Sequence, residues 1–92
     1  MYKIKPYTRE KAHELDLIVK PSNKKNKKID IYNDKNEYIT SVGHTSYSDF
    51  PTYIETDGLE YAFQRRKLYK IRHNKYRHNV GSNSWYADQL LW

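Results

Sequence analysis

The chain has no cysteine. That excludes disulfides and thiolate zinc sites, and it leaves a reducing compartment open. Glycine and proline are scarce, three of each in 92 residues. Isolated glycines cannot build a Walker-type or dinucleotide-binding loop. No apolar run approaches the length that spans a bilayer. The opening Met1-Tyr2-Lys3-Ile4-Lys5-Pro6 lacks the apolar region of a signal peptide. These absences lead us to expect no membrane partner, and a soluble protein that is intracellular or carried inside a particle. Acids are missing from one long stretch, since none lies between Glu60 and Asp88. A metal-dependent hydrolytic site would want carboxylates there. His13, His44, His73 and His78 show no ligand spacing. We therefore expect neither metal nor cofactor.

Aromatics and positive charge are what the chain has in quantity. Ten Tyr, two Trp and two Phe stand beside few aliphatics. Tyrosine must supply much of the core, with hydroxyls reaching the rim or buried partners. Such aromatic content argues against a disordered tail. The length suits one domain, residues 1–92, with a modest core. The net charge is +6 and the pI about 9.5. That favours an acidic partner, nucleic acid before an anionic membrane surface.

Leu59 to Asn79 reads for the most part as one long helix, flanked by Gly58 and Gly81. Wound at 100° per residue, Tyr61, Ala62, Leu68, Tyr69 and Ile71 share one half of the wheel. Arg66, Lys67, Lys70 and Asn74 share the other. Arg65 and Arg72 fall among the apolar residues, where their stems can lie along apolar surface. Phe63 falls among the cations, as a second-layer core residue or a ring for stacking. From Arg65 to Arg77 there are seven Lys/Arg and no acid. Such a run is often a solvated face. Its length and lack of compensating acid point instead to an anionic partner.

Ahead of this stretch the pattern is of strands. Ile4 is the inward residue of an extended lead-in over Tyr2 to Tyr7. Thr8 is placed as the N-cap of a short helix from Arg9 to about Leu15, with Ala12 and Leu15 as apolar contacts. Leu17 to Val19 is a short strand, which Pro21 ends or follows. Ile29 to Asn33 and Tyr38 to Val42 alternate apolar and polar, a hairpin turning at Asn33-Asp34-Lys35-Asn36. Gly43 closes its second strand. Between strands lies Ser22 to Lys28. Lys20, Lys24, Lys25, Lys27 and Lys28 put five charges in nine residues. This is either a solvated hairpin loop or a phosphate-contacting one.

After the hairpin, Asp49 caps a short helix with Pro51 in its first turn, and Gly58 ends it. Ser84 is placed as the cap of a last helix, Trp85 to Trp92. Its Trp85, Tyr86, Leu90, Leu91 and Trp92 either dock on the core or form an exposed partner-binding peptide.

Four segments also carry a resemblance. Lys-Lys-Ile-Asp-Ile-Tyr (27–32) and Asp-Phe-Pro-Thr-Tyr-Ile (49–54) are two of them. Glu-Tyr-Ala-Phe-Gln-Arg-Arg-Lys-Leu-Tyr-Lys-Ile-Arg-His (60–73) and Trp-Tyr-Ala-Asp-Gln-Leu-Leu-Trp (85–92) are the others. With Tyr7-Thr8, this resembles, over nearly the whole chain, a family of small basic proteins encoded by large (giant) DNA viruses of algae and amoebae. The chain departs from it at Asp34-Lys35-Asn36, where a glycine-containing turn would be expected. The resemblance implies a viral origin and a single-domain module. It brings no activity and no site residue with it. The location it implies is the infected host's nucleus or cytoplasmic virus factory, or the virion.

The expected fold is α+β: a small antiparallel sheet of three or four strands packed on one long basic helix, with short flanking helices. The expected function is nucleic-acid binding, DNA ahead of RNA, with weak sequence preference, in viral genome packaging or handling. Lys24, Lys25, Lys27 and Lys28 in the loop would contact phosphates. So would Arg65, Arg66, Lys67, Lys70, Arg72, Lys75 and Arg77 in the helix. Tyr76 would stack on an unpaired base. One alternative is a virion structural or adaptor protein, docking on a viral partner through the Trp-rich C-terminus. The less favoured alternative is a nuclease. His73 and His78 with Asn74 and Asn79 suggest acid–base chemistry, but helix positions five apart do not face each other. No catalytic residue is assigned.

Overall fold

Three strands, β1 (Ile18–Pro21), β2 (Lys27–Tyr32) and β3 (Tyr38–His44), pair antiparallel in chain order in this computed structural model of residues 1–92. Four helices complete an α+β fold: α1 (Pro6–Glu14), α2 (Phe50–Asp57), α3 (Leu59–Arg72) and α4 (Asn83–Leu91). The chain divides into two compact units, Met1–Tyr47 and Ser48–Trp92. No helix is long and apolar enough to cross a membrane.

In the first unit, β2 is the central strand. Val19 faces Ile31, and Ile29 faces Val42. All four are buried, and the two isoleucines of β2 have no exposure. Alternation along β2 nonetheless does not mean a wet second face. Lys28 and Asp30 alternate with the isoleucines and are buried too. The hairpin turns where expected. Asn33 Oδ1 accepts from the backbone N–H of Lys35 at 3.0 Å and of Glu37 at 2.9 Å. Asn36 takes φ 64°, which asparagine tolerates better than most residues. An asparagine thus does what the missing glycine would have done. β3 runs through Gly43 to His44, because Lys27 extends the ladder to that residue.

The sheet has three strands, the lower of the two numbers expected: Tyr2 to Ile4 forms no strand, although Ile4 is buried. The first helix starts earlier than expected, with Lys5 as N-cap and Pro6 at its first position. Proline is pre-set for that position, where its missing N–H costs nothing. Thr8 is therefore inside the helix and fully buried.

In the second unit, Asp49 caps α2 as expected, its Oδ1 accepting from Thr52 N–H at 3.0 Å. Gly58 alone joins α2 to α3, at φ 90° and ψ 164°. An added Cβ would meet nothing within 4 Å. The cost of Gly58→Ala is then backbone strain alone, about 1–3 kcal/mol. Urea denaturation should show that loss as a lower midpoint with an unchanged slope.

α3 ends at Arg72, short of the expected Asn79. His73 caps it with φ −102° and ψ 9°. Turns follow: Arg77 N–H donates to His73 O at 2.9 Å, and Asn79 N–H to Tyr76 O at 3.1 Å. The Asn74 side chain bridges these turns, its Oδ1 3.2 Å from His78 Nε2. The turn also serves an ion cluster. Lys70 and Arg77 would sit about 10 Å apart along a continuous helix. The break brings both cations to Asp88. α4 begins earlier than expected, capped by Ser82 in place of Ser84. Ser82 Oγ accepts from Trp85 N–H at 3.1 Å.

Candidate nucleic-acid interface

The lysine loop is tied down by its own hydrogen bonds. Ser22 N–H donates to Lys28 O at 3.0 Å, and Ser22 Oγ accepts from Lys24 N–H at 3.1 Å. Its four candidate lysines divide by position: Lys24 and Lys25 lie in the turn, but Lys27 and Lys28 belong to β2 and not to the loop as expected, because the ladder with β3 already starts at Lys27. Lys28 is only 4 % exposed, and its Nζ lies 5.3 Å from the Tyr2 ring centre. It shares a strand face with Asp30, so it cannot present its charge to a phosphate. Lys24 is exposed but engaged. Its Nζ donates to Ser41 Oγ at 3.1 Å, lies 3.9 Å from Asp30 Oδ1, and sits 3.8 Å over the Tyr38 ring. Lys25 and Lys27 are exposed. Lys24 and Lys27 line a shallow groove with Tyr2, Ser22 and Thr45.

Beneath Lys24 lies a network that the sequence pattern does not predict. Ser41 Oγ donates to Asp30 Oδ1 at 2.5 Å and lies 2.8 Å from the Tyr38 hydroxyl. Burial pushes the Asp30 carboxyl up. Hydrogen bonds from Ser41 and Ser22 and the Lys24 charge outweigh that, and hold it below the usual range. The hydrogen bond to Tyr38 raises the Lys24 pKa and lowers that of the phenol. The signal in the sequence was Asp30 on a central strand between isoleucines, where a carboxylate needs partners.

The cations of α3 also divide. Arg65 and Arg66 are half-buried. The Arg65 guanidinium carbon lies 5.6 Å from the Tyr53 ring centre, and that of Arg66 lies 4.9 Å from the Phe50 ring centre. They brace α2 against α3, since a guanidinium stacks well on an aromatic face. Arg65 Nε is buried without a hydrogen-bond partner. Lys70 Nζ donates to Asp88 Oδ1 at 2.6 Å, and Arg77 Nη1 lies 3.8 Å from Asp88 Oδ2. Lys67, Arg72 and Lys75 are exposed. Tyr76 is 56 % exposed beside them, with Lys75 Nζ 5.5 Å from its ring centre. Lys75, Tyr76 and Arg77 therefore lie on turns beyond the helix.

The helical wheel is rotated from its expected position. Ala62 and Tyr69 are buried, but Tyr61, Phe63, Leu68 and Ile71 are exposed. The half-buried flank carries Arg66 and Lys70, which were expected outside. Aromatic rings on α2 and the Asp88 carboxylate draw those cations inward. α3 is thus less uniformly basic on its outer side than its composition suggests. The Phe63 ring, though half exposed, lies 5.6 Å from Phe50.

A ring stack occupies the inner side of this unit. Trp92 lies parallel to Tyr69 at 4.3 Å, and Tyr69 stacks on His73 at 4.2 Å. Trp85 meets Tyr86 edge-on at 5.1 Å. Burial, then the Arg72 charge, lowers the His73 pKa from 6.5, so it adds no charge at neutral pH. His73 and His78 face different partners, Tyr69 and Asn74. Burial and the Asp88 charge push the Tyr69 phenol up to about 12. A phenol whose folded pKa is raised holds its proton in the folded state longer than in the unfolded one. Its stabilisation is present below pH 10 and is lost as pH rises from about 10 to about 12. Tyr69→Phe should flatten that part of an alkaline denaturation curve. An unchanged alkaline limb would contradict the assignment.

Comparison with protein-family models, with curated proteins and with solved structures finds no match to this chain.

Proposed function

We propose that this protein binds nucleic acid, DNA ahead of RNA, by phosphate contacts with weak sequence preference. The observation that carries this reading is the set of exposed cations on the later turns of α3 and just beyond it, spread over more than one side of the helix. Lys67, Arg72 and Lys75 stand exposed with no acid among them, and Tyr76 offers a ring beside them. Lys25 and Lys27 form a second exposed pair in the first unit. Phosphate contacts need exposed point charges and little else, so the backbone can be held without reading bases. Tyr76 gives a reason for a single strand to compete with duplex. The reading narrows the contact set: Lys24, Lys28, Lys70 and Arg77 serve the fold. Arg65 and Arg66 present at most an edge.

The role we propose for this binding is viral genome packaging or handling, for which the resemblance to proteins of large DNA viruses is the support. The test is fluorescence anisotropy of labelled duplex DNA, single-stranded DNA and RNA of equal length across a salt series. Saturable binding whose log K falls linearly with log salt supports the reading. No saturable binding to any of the three near physiological salt sinks it.

A further inference from the structure

The first unit carries an open groove of about 560 Å³, lined in part by Tyr2, Ser22, Asn23, Lys24, Lys27 and Thr45. No carboxylate is among its lining residues. The turn holds its backbone in place. Ser22 N–H donates to Lys28 O at 3.0 Å, Lys27 N–H to Lys24 O at 3.2 Å, and Thr45 N–H to Asn26 O at 3.2 Å. Tyr2 is held as well. Lys28, only 4 % exposed, sets its Nζ 5.3 Å from the centre of the half-buried Tyr2 ring. The ring thus covers a buried cation and also borders the groove. The two lysines of the lining differ. Lys24 is anchored on Ser41 and Asp30, whose carboxylate offsets its charge. Lys27 is exposed at the start of β2.

An aromatic ring beside an exposed ammonium group, with no acid in the lining, fits a flat anionic ligand. The volume lies within the ~300–1,000 Å³ of small-ligand sites, enough for one base with its sugar and phosphate. Bases in a duplex have both faces covered by their neighbours. Unpaired bases splay out and stack on aromatic side chains. We propose, resting on the nucleic-acid binding proposed above, that this groove takes one unpaired nucleotide of a bound single strand, with its base on the Tyr2 ring and its phosphate on Lys27. Asn23 and Thr45 are exposed, and each side chain can donate or accept at the base edge. Such adaptable partners keep base preference weak. A duplex offers the groove its phosphates alone. The groove is a stacking point in the first unit, separate from Tyr76 in the second.

NMR titration of the wild type with oligothymidine, and with duplex DNA of the same length, tests this at physiological salt. Oligothymidine should shift the Tyr2 ring resonances and the amides of Asn23, Lys27 and Thr45. Duplex should leave the Tyr2 ring unmoved. In anisotropy, Tyr2→Ala should weaken oligothymidine binding about 5–20-fold, the lower part of what stacking one base supplies. Its duplex affinity should stay unchanged, and Tyr2→Phe should bind both as the wild type does. Lys27→Ala should cut the salt slope on oligothymidine by about 0.7, one phosphate contact. A wild type that binds no strand of either kind overturns the nucleic-acid proposal and the groove with it. Binding without a shift at Tyr2 overturns the groove alone. So does a Tyr2→Ala loss that is equal on duplex and oligothymidine, which marks a structural role for the ring. Thymidine monophosphate that moves the same resonances as strongly as the strand also overturns it, since the groove then takes a free nucleotide.

Discussion

Asp88→Ala should lower the melting temperature by roughly 10–20 °C, the largest loss expected of any single substitution that leaves the aliphatic core intact. Asp88 is 4 % exposed and holds Lys70 at 2.6 Å, with Arg77 at 3.8 Å. Without it, two half-buried cations face each other unpaired. Removing one partner of a buried pair costs about 3–5 kcal/mol when both charges are fully enclosed. Here the cation ends keep some water, so about 2–4 kcal/mol is expected. The loss should extend beyond the ions. Asp88 ties α4 to the last turns of α3 through Lys70 and to the following turn through Arg77, on the helix that leads to the stack of Trp92 on Tyr69. Differential scanning calorimetry on the single variant, Lys70→Ala and the double variant checks the account. The double variant should lose less than the sum of the singles, because it leaves one fewer stranded charge. A drop of only a few degrees for Asp88→Ala would show the cluster to be ornamental to stability.

Local signals were legible in the sequence wherever one residue type had one physical use. Asp49 followed by Pro51 signalled the start of a helix, and Gly58 both its end and the start of the next. The β2–β3 hairpin followed from alternating β-branched residues around an Asn-rich turn. What the wheel of α3 could not show was which face other groups would claim. Hydropathy sent Arg66 and Lys70 outward and Leu68 inward. Phe50 and Asp88 reversed this, because an aromatic face and a buried carboxylate each hold a cation more specifically than an apolar wall holds leucine. Those partners are distant in sequence, and a periodicity argument cannot see them. The break after Arg72 was hidden for the same reason, since neither proline nor glycine marks it. Asp88 was the clue in plain sight: it is the first acid after a long cationic stretch, and such a residue collects the cations nearest in space. The candidate contact set was legible as composition, and only the fold sorted it into charges that face water and charges that hold the protein together.

That sorting yields the sharpest functional expectation. Replacing Lys67, Arg72 and Lys75 together by alanine should reduce the slope of log K against log salt on duplex DNA by about 3. Each phosphate contact contributes about 0.9 to that slope, so the change counts contacts. At low salt the affinity should fall by roughly 10²–10³-fold, since counterion release supplies most of such binding. All three side chains are exposed and unpaired with acids, so the melting temperature should change little. Replacing Lys24 and Lys28 by alanine makes the opposite test. Those residues are engaged with Asp30, Ser41 and Tyr2, so stability should fall while the salt slope changes little. Isothermal titration or anisotropy on both variants against one duplex, at four or more salt concentrations, separates the two roles. If the triple variant keeps the wild-type slope, the exposed end of α3 does not touch phosphate. If the Lys24 and Lys28 variant loses slope instead, the loop opens on binding, and its network of Asp30, Ser41 and Tyr38 is what the nucleic acid must break.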